Sequence, residues 1–193
     1  MSSSSRWRAP EAHLVAVLVL ALTLAHGSAR AANAADAPDY VRTYFAAHLA
    51  GEARLTWFGL HVYDARLFVP AGFDPIDPSA QAFALELLYA RALRGKSIAE
   101  TSRDEIARLG FGSDAQRARW FEQMARLFPD VERGTRITGV NLPGRGVCFY
   151  VDGIEAGRID DTEFARGFFA IWLDPRTRSP KVREGLLRAV ARD

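Results

Sequence analysis

A single cysteine, Cys148, is all the chain contains. That excludes an internal disulfide even in an oxidising compartment and leaves packing to hold the fold. Cys148 lies in an apolar, strand-like run, where a small buried hydrophobe is expected rather than a reactive thiol. The sequence also lacks a Gly-x-Ser-x-Gly elbow and a histidine–acid pair beside a plausible nucleophile, so hydrolase chemistry has no residues to run on. His48 and His61 are the only histidines beyond residue 31, and no histidine, cysteine and acid cluster has ligand spacing. Asp160, Asp161 and Glu163 are explained as acids in the first turn of a helix. No metal or cofactor is therefore expected, and no hydrolytic machinery.

A long hydrophobic span is missing too. The run from Leu14 to Ala25 is too short to cross a bilayer as a stable helix. With Arg6 and Arg8 before it and small residues after it, residues 1–31 are expected to be a secretory signal. Ala29-Arg30-Ala31 and Ala32-Asn33-Ala34 both fit the cleavage rule. The expectation is an exported protein, periplasmic or secreted, with no transmembrane anchor after cleavage and one domain over residues 32–193. Taking Arg6, Arg8, Arg30 and Glu11 away from 25 basic and 23 acidic side chains leaves 22 of each. With no basic tract, a nucleic-acid partner loses its electrostatic support.

What is present alternates between strand and helix patterns. Tyr40 to Phe45 fits a first strand or a short helix. Arg54 to Val69 is aromatic and β-branched with a change of phase, Leu55 and Trp57 on one parity and Phe58, Leu60 and Val62 on the other, which places a bulge or tight bend at Gly59. Pro70 to Ser79 is a loop. Phe83, Leu85, Leu87 and Tyr89 alternate as a half-buried strand. Ser97 to Glu100 predicts a capping box and Gly110 a helix stop; Ser113 to Gln116 repeats the capping logic before a second helix ended by Pro129. Strands return from Thr135 to Ile159, with turns at Pro143-Gly144 and Asp152-Gly153. A helix with Phe164, Phe168 and Ile171 on one face follows, then one opened by Ser179-Pro180. Helices lie between and after groups of strands without regular alternation, so the class is α+β.

Arg94-Gly95-Lys96-Ser97 imitates a phosphate loop, but only Gly95 lacks a β-carbon where several backbone amides would have to converge on one anion. More telling are the polar-tipped aromatics Trp57, Tyr63, Tyr89 and Tyr150, which fit either an ordinary aromatic core or a ligand cavity. Arg54 opens an apolar strand. It reads either as a solvated strand end or as a cation at the rim of an apolar cavity, placed to hold a carboxylate or phenolate.

The stretch from Gly51 to Phe68, GEARLTWFGLHVYDARLF, together with ALELLYARALRGKSIAE, WFEQMARLFPDV, GTRITGVNLPGRGVCFYVDG and FARGFFAIWLDPRT, resembles the bacterial branch of the chalcone isomerase-like family. The resemblance implies a large antiparallel sheet with helices on one face and a cleft between them. It also implies one of two activities: isomerisation of a chalcone, or non-catalytic binding of a fatty acid held by an arginine and a tyrosine. Arg54 matches the family arginine. The plant isomerases set a tyrosine, a lysine and an asparagine around the next helix start; here Gly95 to Thr101 supplies only Lys96. The expectation is therefore a non-catalytic protein that binds a small amphipathic molecule such as a fatty acid, with Arg54, Tyr63 and Tyr89 as ligand-binding residues. A weak or specialised intramolecular lyase and an envelope protein-interaction module are the alternatives.

Overall fold

The computed structural model describes residues 37–190, within a unit that spans Ala32–Asp193. The expected signal over residues 1–31 lies outside the described residues. A short helix α1 (Asp39–Arg42) precedes strands β1 (His48–Trp57), β2 (Leu60–Val69) and β3 (Phe83–Tyr89), then helices α2 (Gly95–Leu109) and α3 (Asp114–Leu127). Strands β4 (Arg136–Leu142), β5 (Gly146–Val151) and β6 (Ile154–Ile159) and helices α4 (Thr162–Leu173) and α5 (Pro180–Leu186) complete the chain. The six strands form one sheet in sequence order, every neighbour antiparallel. This is the α+β architecture expected, a large antiparallel sheet with its long helices sharing one core face.

Alternation decides which residues meet those helices. Ala65 and Leu67 of β2, Leu85 and Leu87 of β3, and Val147 and Phe149 of β5 join Ile106, Trp120, Phe164, Phe168 and Trp172 in the main core. The other face is covered at one end by residues from Ala37 to Phe45, over Phe68, Ala84, Val140 and Cys148. The segment from Tyr40 thus begins as a helical turn, and its aromatics cap the outer face: Tyr40 stacks on Tyr150 at 4.5 Å, and the Tyr44 and Tyr150 hydroxyls are 2.8 Å apart.

Local chemistry sets most element ends. Ser113 and Gln116 form the expected capping box of α3, and Gly110 closes α2 in the left-handed region at φ 86°. Asp161 accepts from the amides of Glu163 and Phe164 at the start of α4, while its other oxygen accepts from Trp120 Nε1 at 2.8 Å and ties α3 to α4. The capping box expected at Ser97 is not formed. Helix α2 starts at Gly95, whose amide donates to Asp130 Oδ1 at 2.9 Å, so a carboxylate already fills the place where a phosphate loop would hold its anion. Of the two readings at Gly59, the tight bend is the one found: the aromatic run from Arg54 to Val69 is two strands joined by a turn with Phe58 at φ 47° and Gly59 at φ 77°.

Candidate functional site

The register of this first hairpin decides where the expected site residues go. Trp57 pairs with Leu60 and Thr56 with His61, and continuing that count would put Arg54 opposite Tyr63, on one face. Val62 is instead an extra residue in β2, so Leu55 pairs with Tyr63 and Arg54 with Asp64. A one-residue bulge moves a side chain to the opposite face of its strand. Arg54 therefore points away from the helices, with Nε donating to Asp64 Oδ1 at 2.8 Å and Nη2 to Oδ2 at 3.3 Å, and its side chain is 61% exposed. The expectation that Arg54 anchors a ligand beside Tyr63 and Tyr89 is corrected: the three do not form one site.

Tyr63 and Tyr89 do come together. They are direct cross-strand partners on the helix-facing side, both buried, with rings edge to face at 6.0 Å. Trp172, one helical turn beyond Phe168 on α4, donates its indole N–H to the Tyr63 hydroxyl at 2.8 Å. Burial pushes Tyr63 up to about 12, the Trp172 hydrogen bond offsetting part of the effect. Burial also raises Tyr89 above the ordinary tyrosine value, and the neighbouring Tyr63 adds to that. Both remain phenols at any physiological pH. Among the described residues neither hydroxyl proton has an acceptor, and the Tyr89 oxygen takes part in no hydrogen bond at all. Two phenols on neighbouring strands, each with an O–H proton that no described residue accepts, are what a carbonyl or carboxyl oxygen would complete.

Trp172 escaped sequence reasoning, although its signal was present: Phe164, Phe168 and Trp172 recur every four residues, and all three are buried, whereas Ile171 is only partly so. The asymmetry of the tyrosine pair yields a prediction. Tyr63→Phe strands the buried Trp172 N–H and should cost about 1–3 kcal/mol, whereas Tyr89→Phe removes a hydroxyl without a partner and should be neutral or stabilising. Urea unfolding of the two variants checks this.

A hollow of about 190 Å³ lies at the other end of the sheet between the Pro75–Ser79 loop and α4. Phe83 and Phe169 help to line it, and so does Arg166, which enters no ion pair among the described residues. Asp77 and Asp174 share the lining and outnumber that arginine. The volume falls below the roughly 300–1,000 Å³ of pockets for drug-sized ligands, so this hollow is not an anion trap for a long-chain acid. Among the described residues no three histidine, cysteine or acidic side chains are placed to hold a metal ion, and no helix is long and apolar enough to cross a membrane.

A sequential six-stranded antiparallel sheet with long helices on one face, and a polar-tipped aromatic pair between the layers, defines a two-layer α+β protein. The model described as chalcone isomerase-like matches residues 47–188, and the chain belongs to that family. Its fold is similar to the crystal structure of a fatty-acid binding protein from Arabidopsis thaliana, with a TM-score of 0.61 at 13% identity over 81% of this chain and 91% of that one. No curated protein matches by sequence.

Proposed function

We propose that this chain is a non-catalytic binder of a small amphipathic molecule, such as a fatty acid, whose polar end is held by the Tyr63 and Tyr89 hydroxyls and whose tail lies between the sheet and the helices. The observation that carries this reading is the Tyr89 hydroxyl, which has no partner among the described residues at the edge of a buried ring, beside a second phenol whose proton is also free. The fatty-acid binding relative of the same fold supports the ligand class. Both rings are almost fully enclosed, so entry requires α4 to move away from β2 and β3, breaking the bond from Trp172 to Tyr63. Against an isomerase stands the run from Gly95 to Thr101, which forms the first turns of α2 with the Lys96 side chain exposed to solvent. The proposal includes export, which rests on residues 1–31; N-terminal sequencing of the protein recovered from the cell envelope tests it.

The binding reading is tested by calorimetric titration of dodecanoic acid into residues 32–193. Loss of one hydrogen bond, about 0.5–1.5 kcal/mol, should make Tyr89→Phe bind roughly 2- to 13-fold more weakly, and Arg54→Ala should bind as the parent does. Loss of binding in Arg54→Ala, with Tyr89→Phe unchanged, would place the polar end on the outer face and overturn the assignment.

A further inference from the structure

The turn between β1 and β2 displays what folded proteins usually hide. Phe58 is 90% exposed, Trp57 59% and Leu60 54%. Two-residue hairpin turns with positive φ at both positions select Asn, Asp or Gly first, because a β-carbon is disfavoured there. Phe58 nonetheless occupies the first of those positions at φ 47°, its one ring neighbour among the described residues being Trp57 at 5.2 Å. The second such turn, at Asp152-Gly153, follows the usual chemistry, with an aspartate at φ 49°. At Phe58 the backbone is strained to present an aromatic ring that, among the described residues, has ring contact with Trp57 alone.

The surroundings carry an excess of positive charge. The tip lies at the end of the sheet where β3 finishes and β4 begins, and the connections there hold Arg91, Arg94 and Arg133, none in an ion pair among the described residues, against Glu132 and Asp130, the latter already accepting from the Gly95 amide. The Ala90 amide donates to the Val62 carbonyl at 2.9 Å, which sets Arg91 one strand away from the tip. A protruding tryptophan, phenylalanine and leucine with unpaired arginines behind them match the boundary layer of a bilayer, where aromatic side chains sit at headgroup depth and cations meet anionic lipid. Three side chains on a convex turn offer far less than the roughly 1,200 Å² of a stable protein interface.

We propose that the β1–β2 tip docks this protein on an anionic lipid bilayer, with Phe58, Trp57 and Leu60 inserted at the headgroup boundary and Arg91, Arg94 and Arg133 against lipid phosphates. Tyr63 and Tyr89 lie at the same end of the sheet, but the docking does not depend on what they bind.

The test is vesicle flotation of residues 32–193, whose core closes within itself, using phosphatidylcholine vesicles with and without phosphatidylglycerol and no free fatty acid. The variant is Phe58→Asn, which suits the turn better and should melt at or above the temperature of the parent. The parent should float with anionic vesicles, and Trp57 emission should shift to the blue. Phe58→Asn should bind at least about tenfold more weakly, as expected for removing one large apolar side chain, and Tyr89→Phe should bind as the parent does. Absence of flotation on anionic vesicles, or equal flotation of Phe58→Asn, overturns the proposal. So does a dimer in sedimentation velocity that Phe58→Asn dissociates, because the occupant of the tip would then be a second copy. A failure here leaves the calorimetric result for Tyr89 untouched, and the reverse holds as well.

Discussion

Trp172→Ala is expected to lower the stability of the folded unit by about 3–5 kcal/mol, the range for removing a large buried aromatic side chain. Trp172 is almost fully enclosed, packs edge to face on Phe168 at 5.4 Å and holds the Tyr63 hydroxyl. Its removal leaves a void beside both tyrosines, and apolar voids of that kind take up apolar molecules. Dodecanoic acid should therefore return more stability to the variant than to the parent. A ligand at a hundred times its dissociation constant contributes about 2.7 kcal/mol, and tighter binding to an enlarged cavity adds to that. Urea midpoints with and without the acid measure both effects. An equal ligand shift in the two proteins would mean that the molecule binds away from Trp172.

Glu86→Ala should be comparably damaging for a different reason, with no effect on ligand affinity. On the face away from the long helices, Glu86 has no exposed side-chain surface, accepts from Arg66 Nε at 2.9 Å and sits 3.2 Å from Arg136 Nε. The Tyr40 hydroxyl reaches the same carboxylate at 3.4 Å. Removing one member of a buried ion pair leaves the remaining charge uncompensated and costs about 3–5 kcal/mol, while exchanging charged members for apolar ones of similar volume is often close to neutral. Glu86→Leu combined with Arg66→Met should thus recover much of what Glu86→Ala loses. Chemical denaturation of the three variants checks the order. Calorimetry under conditions where the protein remains folded should find unchanged dodecanoic acid affinity, because this network is separated from Tyr63 and Tyr89 by the thickness of the sheet.

The fold was legible wherever a local interaction fixes an element end. Ser113 with Gln116, Gly110, Asp152-Gly153 and Pro180 each act within a few residues, and each is found in its expected place. Helix α2 was misplaced at its start because the partner of its first amide, Asp130, is 35 residues away in sequence. The β1–β2 hairpin was only half announced by its own turn: Phe58 stands where Asn, Asp or Gly would have marked a reversal, so Gly59 alone left a bulge and a tight bend both open. The site was half legible for a related reason. Alternation put Tyr89 on the face of Phe83, Leu85 and Leu87, but the apolar parity of Phe58, Leu60 and Val62 ran against Tyr63, and the sides on which Tyr63 and Arg54 fall depend on the single extra residue Val62, which nothing in the composition of either strand marks.

The central claim, that a molecule enters between sheet and helices at the tyrosine pair, is tested most directly by following the Trp172 indole N–H by nuclear magnetic resonance during addition of dodecanoic acid to residues 32–193. The account predicts a saturable displacement of that resonance at one equivalent, because the bond from Trp172 to Tyr63 is rearranged, and a displacement that needs more acid in Tyr89→Phe. Saturable binding by calorimetry with a stationary Trp172 resonance would contradict it.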